Sequence, residues 1–119
     1  MRRFLFVDDD KNEYLYASYV FNRVYGGEYS LDYAQSLNEA EVFLTENSVD
    51  AIILDDRLGD GLTSKDTIPV LEKKASKAPI FIVSTDVQAR HLRDRIKSGL
   101  NKVIDKFDFK DCLASGAFE

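Results

Sequence analysis

Short apolar runs divide this chain, and each of them ends in charged or hydroxyl side chains. The runs cover residues 4–7, 51–54, 80–83 and 103–104, and most of their members are β-branched or aromatic. Runs of this length and composition are typical of buried strands in a parallel sheet. Residues 29–34 alternate between apolar and polar side chains, which predicts a more exposed strand, second in the chain.

Helical patterns separate the predicted strands. A first helix is predicted over residues 11–25, because its apolar stripe stops at a Gly-Gly pair. The stripe includes Leu15, Tyr19 and Val20, with Phe21, Val24 and Tyr25 following. A second helix is expected to begin after Ser36, which is spaced to form a capping box with Glu39.

The second half of the chain contains three more helical patterns. One begins near Thr63 or Ser64, and Pro69 must lie in its first turn or kink it. The next helix carries three apolar residues on one face and ends at a glycine. These residues are Ala89, Leu92, Ile96 and Gly99. A final short helix containing Cys112 and Leu113 is expected to be capped by Asp108.

The alternation of five strands with five helices predicts an α/β fold. Parallel strands need crossover connections, which are right-handed and place helices on both faces of the sheet. The chain of 119 residues is long enough for one hydrophobic core and shows no linker or repeat. We therefore expect a single domain over residues 1–119.

Composition and charge exclude several classes of function. The net charge of -5 argues against the phosphate contacts that nucleic-acid binding needs. No apolar run approaches the roughly 20 residues of a membrane span, and the first run is too short for a secretory signal. The single cysteine, Cys112, fits a reducing compartment. These properties predict a cytoplasmic protein.

Chemically reactive side chains stand at the ends of the predicted strands. Asp8 and Asp9 follow the first strand, Asp55 the third, Ser84 the fourth and Lys106 the fifth. The carboxyl ends of parallel strands share one edge, where open α/β sheets bind ligands. Carboxylates gathered there repel one another, and a divalent cation is the usual reason for such a cluster.

This set of side chains predicts a phosphoryl-transfer site. A carboxylate oxygen can attack phosphorus to form an acyl phosphate, and Asp55 is the natural nucleophile because it closes the central strand alone. Asp8 and Asp9 are the natural holders of Mg²⁺. For Asp10 and Asp56, a structural role as a loop residue or helix cap is expected as readily as a role in the site. His91 is expected to be an exposed helix residue.

At this point the chain resembles the receiver domain of two-component response regulators. The resemblance rests on Phe-Val-Asp-Asp at 6–9, Ile-Ile-Leu-Asp at 52–55, Ile-Val-Ser at 82–84 and Ile-Asp-Lys at 104–106. It covers essentially the whole chain and implies a flavodoxin-like, doubly wound sheet with strand order 2-1-3-4-5 and five helices.

The resemblance also implies roles for individual residues. Asp55 corresponds to the phosphoacceptor, Ser84 to the switch hydroxyl that follows the phosphate, and Lys106 to the phosphate-binding lysine. Thr85 is expected beside the phosphate as well. The Mg²⁺ ligands would be Asp8, Asp9, Asp55 and the backbone carbonyl of Arg57.

Two variable positions are expected to modulate the lifetime of the phosphoryl group. Arg57 and Asp86 each lie two residues past a site residue, and a salt bridge between them would hinder the attacking water. Three other positions depart from the family pattern. Phe107 replaces a proline that is commonly cis, Gly59 stands where a proline often occurs, and Val103 replaces an aromatic switch residue. We expect a trans peptide at Phe107 and a displaced start of the last helix.

The predicted function is a stand-alone receiver that is phosphorylated by a sensor histidine kinase or a histidine phosphotransfer protein. It would catalyse only its own phosphorylation and dephosphorylation, and it would signal through the fourth helix, fifth strand and fifth helix to an unidentified protein. A monomer or weak homodimer is expected, without nucleic acid or membrane partners. Two alternatives remain open: a pseudo-receiver that is not phosphorylated, and a haloacid-dehalogenase-type phosphatase using Asp8 and Asp10.

Overall fold

Five parallel strands form one sheet in the computed structural model, which describes residues 2–75, 77–86, 88–93 and 102–116, with Asp60 described in its backbone alone. The strands are β1 (Arg2–Val7), β2 (Tyr29–Ala34), β3 (Ala51–Asp55), β4 (Ile80–Ser84) and β5 (Lys102–Asp105). Their order is β2-β1-β3-β4-β5, and every neighbouring pair is parallel. The predicted sheet and its strand order are confirmed.

Helices alternate with the strands, as the sequence predicts. They are α1 (Lys11–Tyr25), α2 (Leu37–Glu46), α3 (Ser64–Lys74), α4 (described over 90–93) and α5 (Phe109–Ala114). The remainder of the predicted fourth helix, with Ile96 and Gly99, lies outside the described residues. In the described part of the chain, no helix combines the length and the apolar character that crossing a bilayer requires.

The sheet separates two apolar clusters, because successive residues of a strand point to opposite faces. Phe4, Phe6 and Ile53 belong to the cluster that also contains Phe21 of α1 and Phe109 of α5. The other cluster joins alternate strand residues to α2 and α3. Its members include Leu5, Val7, Ile52, Leu54, Ala40, Leu44, Ile68 and Leu71. The sheet therefore has an apolar core on each of its two faces.

The buried stripe of α1 differs from the prediction. Ala17, Val20 and Phe21 are buried, whereas Leu15 and Tyr19 are 53% and 59% exposed. Residues 17, 20 and 21 have the spacing of one helix face, and this face packs on the sheet. The prediction is therefore confirmed for Val20 and Phe21 and wrong for Leu15 and Tyr19, because apolar and aromatic residues occur on more than one side of the helix.

Local capping explains most helix boundaries. The Asp10 side chain accepts from the backbone N–H of Asn12, and Gly26 ends α1 with φ at 67°. The Ser36 hydroxyl accepts from the backbone N–H of Glu39, as predicted. Thr63 forms a reciprocal capping box at the start of α3.

Two predicted helix details are corrected. Pro69 lies in the second turn of α3 rather than its first, since the helix begins at Ser64. Asp108 occupies the N-cap position of α5 without making a side-chain cap bond. Instead, Asp105 caps the turn of 3₁₀ helix over Lys106–Asp108 by accepting from the backbone N–H of Phe107. This 3₁₀ turn precedes α5, which begins at Phe109, and no cis peptide occurs among the described residues.

Candidate functional site

Three carboxylates meet at the carboxyl edge of the sheet. Asp8 and Asp9 follow β1, and Asp55 is the last residue of β3, so parallel pairing of these strands brings them together. One oxygen of each carboxylate lies within 4.8 Å of the other two. The structure therefore brings together the three acids that the sequence proposed as metal ligands.

The loop between β1 and α1 is held by hydrogen bonds at Asp8. The backbone N–H of Asp10 donates to Asp8 Oδ1 at 2.9 Å, and the Asp8 N–H donates to the Ala34 carbonyl at 3.1 Å. The Tyr33 hydroxyl donates to the Asp8 carbonyl at 2.8 Å while its ring stacks on Tyr14. The sequence did not predict this role of Tyr33, because an aromatic residue in an alternating strand gives no indication that its hydroxyl contacts the Asp8 loop.

Lys106 brings a positive charge to the phosphoacceptor candidate. Its Nζ lies 3.3 Å from Asp55 Oδ1 and 4.0 Å from Glu13 Oε1. Because Lys106 directly follows β5, the position of the ammonium is set by the register of the sheet edge. Glu13, in the first turn of α1, was not predicted as a neighbour of the site.

Burial is the main cause of the pKa shifts of Asp8 and Asp55. It raises the pKa of Asp8 to about 7, against the backbone hydrogen bond from Asp10, and the charge of Asp55 raises it further. Burial likewise raises the pKa of Asp55 to about 6, although Lys106 opposes the shift. Burial by itself lowers the pKa of Lys106, but the Asp55, Asp8 and Glu13 carboxylates together raise it above its usual value. Without a cation, the site therefore holds negative charge at a cost.

Ser84 ends β4 at the same edge and is buried. Its Oγ accepts from the backbone N–H of Asp86 at 3.0 Å, which leaves the hydroxyl proton available for another acceptor. Thr85 and Asp86 are exposed. The hydroxyl is therefore tied to the loop that leads into α4.

The predicted salt bridge between Arg57 and Asp86 is not formed. Both residues are described, and no ion pair joins them; the Asp86 carboxylate accepts from the backbone N–H of Gln88 at 3.2 Å. Arg57 instead makes an isolated antiparallel bridge with Thr63. This bridge closes the loop after Asp55 on itself.

The loop that the bridge closes contacts the acid cluster. It contains a turn of 3₁₀ helix, Gly59–Gly61, and a hydrogen bond from the Leu58 N–H to the Leu62 carbonyl at 2.9 Å. A Cβ atom on Gly59 would lie 3.4 Å from Asp9 Oδ2. This is an ordinary van der Waals distance, so position 59 lies directly beside the Asp9 carboxylate.

Asp56 and His91 depart from their predicted roles. Asp56 is 1% exposed, and its Oδ1 accepts from Ser64 Oγ at 2.6 Å and lies 2.8 Å from His91 Nε2. The His91 side chain, expected at the surface, is 18% exposed. Asp56 is visible in the sequence as a second acid directly after Asp55. Nothing in the sequence indicates that it contacts His91, which is 35 positions away.

Comparison with known proteins gives a match in structure alone. No protein-family model matches the chain, and no curated protein matches it in sequence. The chemotaxis protein CheY4 of Vibrio cholerae superposes with a TM-score of 0.80 at 18% identity, covering 98% of this chain and 96% of that one. The chain has the receiver-domain fold.

Two other similar structures, both of response regulators, contain bound ions or a phosphorylated residue. TrrA, a response regulator of Thermotoga maritima in complex with Mg²⁺-BeF, has a TM-score of 0.73 at 22% identity and covers 98% of this chain and 97% of its own. A Burkholderia pseudomallei response regulator with a phosphorylated aspartic acid, a calcium ion and citrate has a TM-score of 0.71 at 17% identity, with coverages of 98% and 74%. At these identities the likeness concerns the fold.

Proposed function

We propose that this chain is a response regulator receiver that accepts a phosphoryl group on Asp55. The observation that carries the proposal is the contact of Lys106 Nζ with Asp55 Oδ1 at 3.3 Å, at the edge where the carboxylates of Asp8 and Asp9 also meet. A nucleophilic carboxylate, a neighbouring ammonium and two further acids are the parts that phosphoryl transfer to an aspartate requires.

The chemical step follows from the charges of these residues. An Asp55 carboxylate oxygen attacks phosphorus, the P–N bond of a phosphohistidine breaks, and its electron pair returns to the imidazole nitrogen. With its pKa raised to about 6, the Asp55 carboxyl group is largely ionised at pH 7 and above, so the nucleophile is available. The Lys106 ammonium stabilises negative charge on the phosphoryl oxygens, and the Ser84 hydroxyl can donate to one of them.

A divalent cation fits the acid cluster. Carboxylates that lie within 4.8 Å of one another, one of them buried with its pKa raised to about 7, are stabilised by a hard cation with oxygen ligands. Asp8, Asp9 and Asp55 would hold Mg²⁺, together with the backbone carbonyl of Arg57. The cation supplies positive charge that offsets the repulsion between the carboxylates and the incoming phosphoryl group.

The donor and the output follow from this chemistry. The donor would be a sensor histidine kinase or a histidine phosphotransfer protein, and the output would pass through α4, β5 and α5 to another protein. The presence of a phosphorylated aspartic acid in one structure with the same fold, and of Mg²⁺-BeF in another, supports the proposal. Thr85, Arg57 and Asp86 are exposed or loop residues next to the site, and we propose that they modulate the lifetime of the acyl phosphate.

Intact-mass analysis after incubation with acetyl phosphate and Mg²⁺ tests the proposal. The wild type should gain one phosphoryl group, and both removal of Mg²⁺ by EDTA and the substitution Asp55→Asn should abolish the gain. Asp10→Asn is the matched control. Its carboxylate caps α1 rather than joining the cluster, and asparagine caps a helix as well as aspartate does.

The same experiment separates the alternatives. A mass gain in wild type and in Asp10→Asn, but not in Asp55→Asn, supports the proposed receiver function. Turnover of para-nitrophenyl phosphate that is lost in Asp10→Asn would instead identify a phosphatase. Absence of any mass gain, with acetyl phosphate and with phosphorylated histidine donors alike, would overturn the proposal and leave an unphosphorylated interaction module.

A further inference from the structure

Asp56 is a buried carboxylate whose contacts come from two different elements. Ser64, the first residue of α3, donates to Oδ1 from its hydroxyl, and His91 of α4 approaches the same oxygen at 2.8 Å. The second oxygen, Oδ2, is buried and has no hydrogen-bond partner among the described residues. A buried carboxylate is costly unless it is paired, so its few contacts determine whether the arrangement persists.

The bond with His91 depends on which group carries the proton. An ionised Asp56 carboxylate can only accept, so in that state His91 Nε2–H is the donor. The imidazole is mostly covered and is held on Asp56, which is covalently linked to the phosphoacceptor candidate Asp55. This contact therefore attaches α4 to the residue after the nucleophile.

A second connection joins α4 to the site through the loop after β4. The Asp86 N–H donates to Ser84 Oγ at 3.0 Å, and the Ala89 N–H donates to the Asp86 carbonyl at 3.2 Å. The Ala89 carbonyl then accepts from the N–H groups of Leu92 and Arg93. Ser84 is thus linked by consecutive hydrogen bonds to the turn that carries His91.

The two connections oppose each other when the site is filled. If Ser84 donates its hydroxyl proton to a phosphoryl group on Asp55, its Oγ moves toward that group and pulls on the loop at Asp86. If the turn at 89–93 follows this movement, the position of His91 relative to Asp56 changes. Packed elements of this kind switch between discrete arrangements, and a contact made in one of them biases the equilibrium.

We propose that the Asp56–His91 contact is a tether that holds α4 in its unphosphorylated position and is released when Asp55 is phosphorylated. This inference rests on the proposed function and adds a positioning role for His91. Because coupling between two sites is reciprocal, a tether that resists the filled state also weakens binding of a phosphoryl group or its analogue.

The test compares wild type with His91→Leu, using beryllofluoride with Mg²⁺ as the phosphoryl analogue. In the wild type, the analogue should speed hydrogen exchange of the backbone amides at 90–93. In His91→Leu, exchange there should already be fast without the analogue, and beryllofluoride should bind about fivefold more tightly or better, the lower range of typical coupling. Stoichiometric phosphorylation by acetyl phosphate should persist in the variant.

Three further variants separate a tether from a general loss of packing. His91→Gln keeps an N–H donor for Asp56 and should restore most of the wild-type affinity. Arg93→Gln removes a charge from an exposed residue of the same turn and should leave the affinity unchanged. Asp56→Ala should tighten binding, and combining it with His91→Leu should add little, because each substitution removes the same contact.

The possible results distinguish failure of the inference from failure of the proposed function. If wild type takes up neither beryllofluoride nor a phosphoryl group, the proposed function fails and the tether with it. If wild type is phosphorylated while His91→Leu binds beryllofluoride with unchanged affinity, the tether alone is refuted. Faster exchange in His91→Leu with unchanged affinity would mean that the contact only stabilises the fold, which also refutes it.

Discussion

Asp8 is the residue whose chemistry depends most on its surroundings. Burial raises its pKa from 3.8 to about 7, so between those values the folded chain binds a proton that the unfolded chain releases. A group of this kind stabilises the fold at low pH, and the contribution is lost as the pH rises through the folded-state pKa. Asp55, with its pKa raised to about 6, acts in the same direction.

Replacing Asp8 by asparagine should therefore stabilise the metal-free protein more at pH 8 than at pH 5. The asparagine side chain has no charge to bury, and its Oδ1 can still accept from the Asp10 N–H. The difference in melting temperature between Asp8→Asn and wild type, measured in EDTA, should grow by roughly 4 °C, the shift that about 1 kcal/mol produces in a domain of this size.

Asp111→Asn provides the control for this measurement, since Asp111 is an exposed acid of α5. The difference in melting temperature between Asp111→Asn and wild type should vary little between pH 5 and pH 8. A difference for Asp8→Asn that does not change with pH would contradict the raised pKa of Asp8.

At the scale of elements, the apolar runs predicted where the strands lie, but the strands extend beyond these runs into polar residues. β1 begins at Arg2, before the apolar run, because Arg3 pairs with Asp32 at 3.0 Å across to β2. β3, β4 and β5 each extend by a polar residue beyond their apolar runs. These residues are Asp55, Ser84 and Asp105. A strand can include such a residue at its end because the sheet edge is open there.

The turn after β5 shows how a departure from the family pattern is accommodated. The Phe107 side chain is 86% exposed, while its backbone N–H donates to Asp105 Oδ1 at 2.9 Å. Proline at this position would remove the donor and disfavour the helical conformation of Lys106. The local hydrogen bonding therefore requires a residue with a backbone N–H at position 107, which proline lacks.

Phe107→Pro should consequently destabilise the protein by about 1 kcal/mol or more, the net contribution of one hydrogen bond. Phe107→Ser is the matched variant: it keeps the N–H and loses only an exposed ring, so its stability should stay within about 0.5 kcal/mol of wild type. Chemical denaturation of the three proteins measures both values. Equal stability of the proline and serine variants would show that the bond to Asp105 contributes nothing.

At the scale of the whole molecule, the sheet divides the core into two layers. Phe4 and Phe21 lie in one cluster with their ring centroids 5.2 Å apart, and Ile82 lies in the other cluster. Such clusters make separate contributions to the free energy of unfolding when their side chains share no contacts. The site lies at the edge where both layers end, so each layer can influence it.

Double-mutant cycles should reveal this division. Phe21→Leu combined with Ile82→Val should be additive in the free energy of unfolding within about 0.5 kcal/mol. Phe21→Leu combined with Phe4→Leu should deviate from additivity by about 0.5 kcal/mol or more, because the two rings touch. Strong coupling across the sheet would argue against two independent layers.

The sequence by itself determined the alternation of strands and helices, the strand order through the family resemblance, and the identity of the acids that meet at the sheet edge. These properties follow from one-dimensional patterns, because burial, period and strand ends are read along the chain. Parallel pairing alone is then enough to bring Asp8, Asp9 and Asp55 together and to put Lys106 beside them.

Only the tertiary structure decided which face of α1 is buried, that Tyr33 holds the Asp8 loop, and that His91 contacts Asp56. The partners in the last two contacts are 25 and 35 positions apart and lie on different elements. Whether such side chains meet depends on how helices pack on the sheet, and no local pattern encodes that packing. The charge that surrounds the proposed phosphoacceptor was therefore predictable, whereas the connection from it to α4 was not.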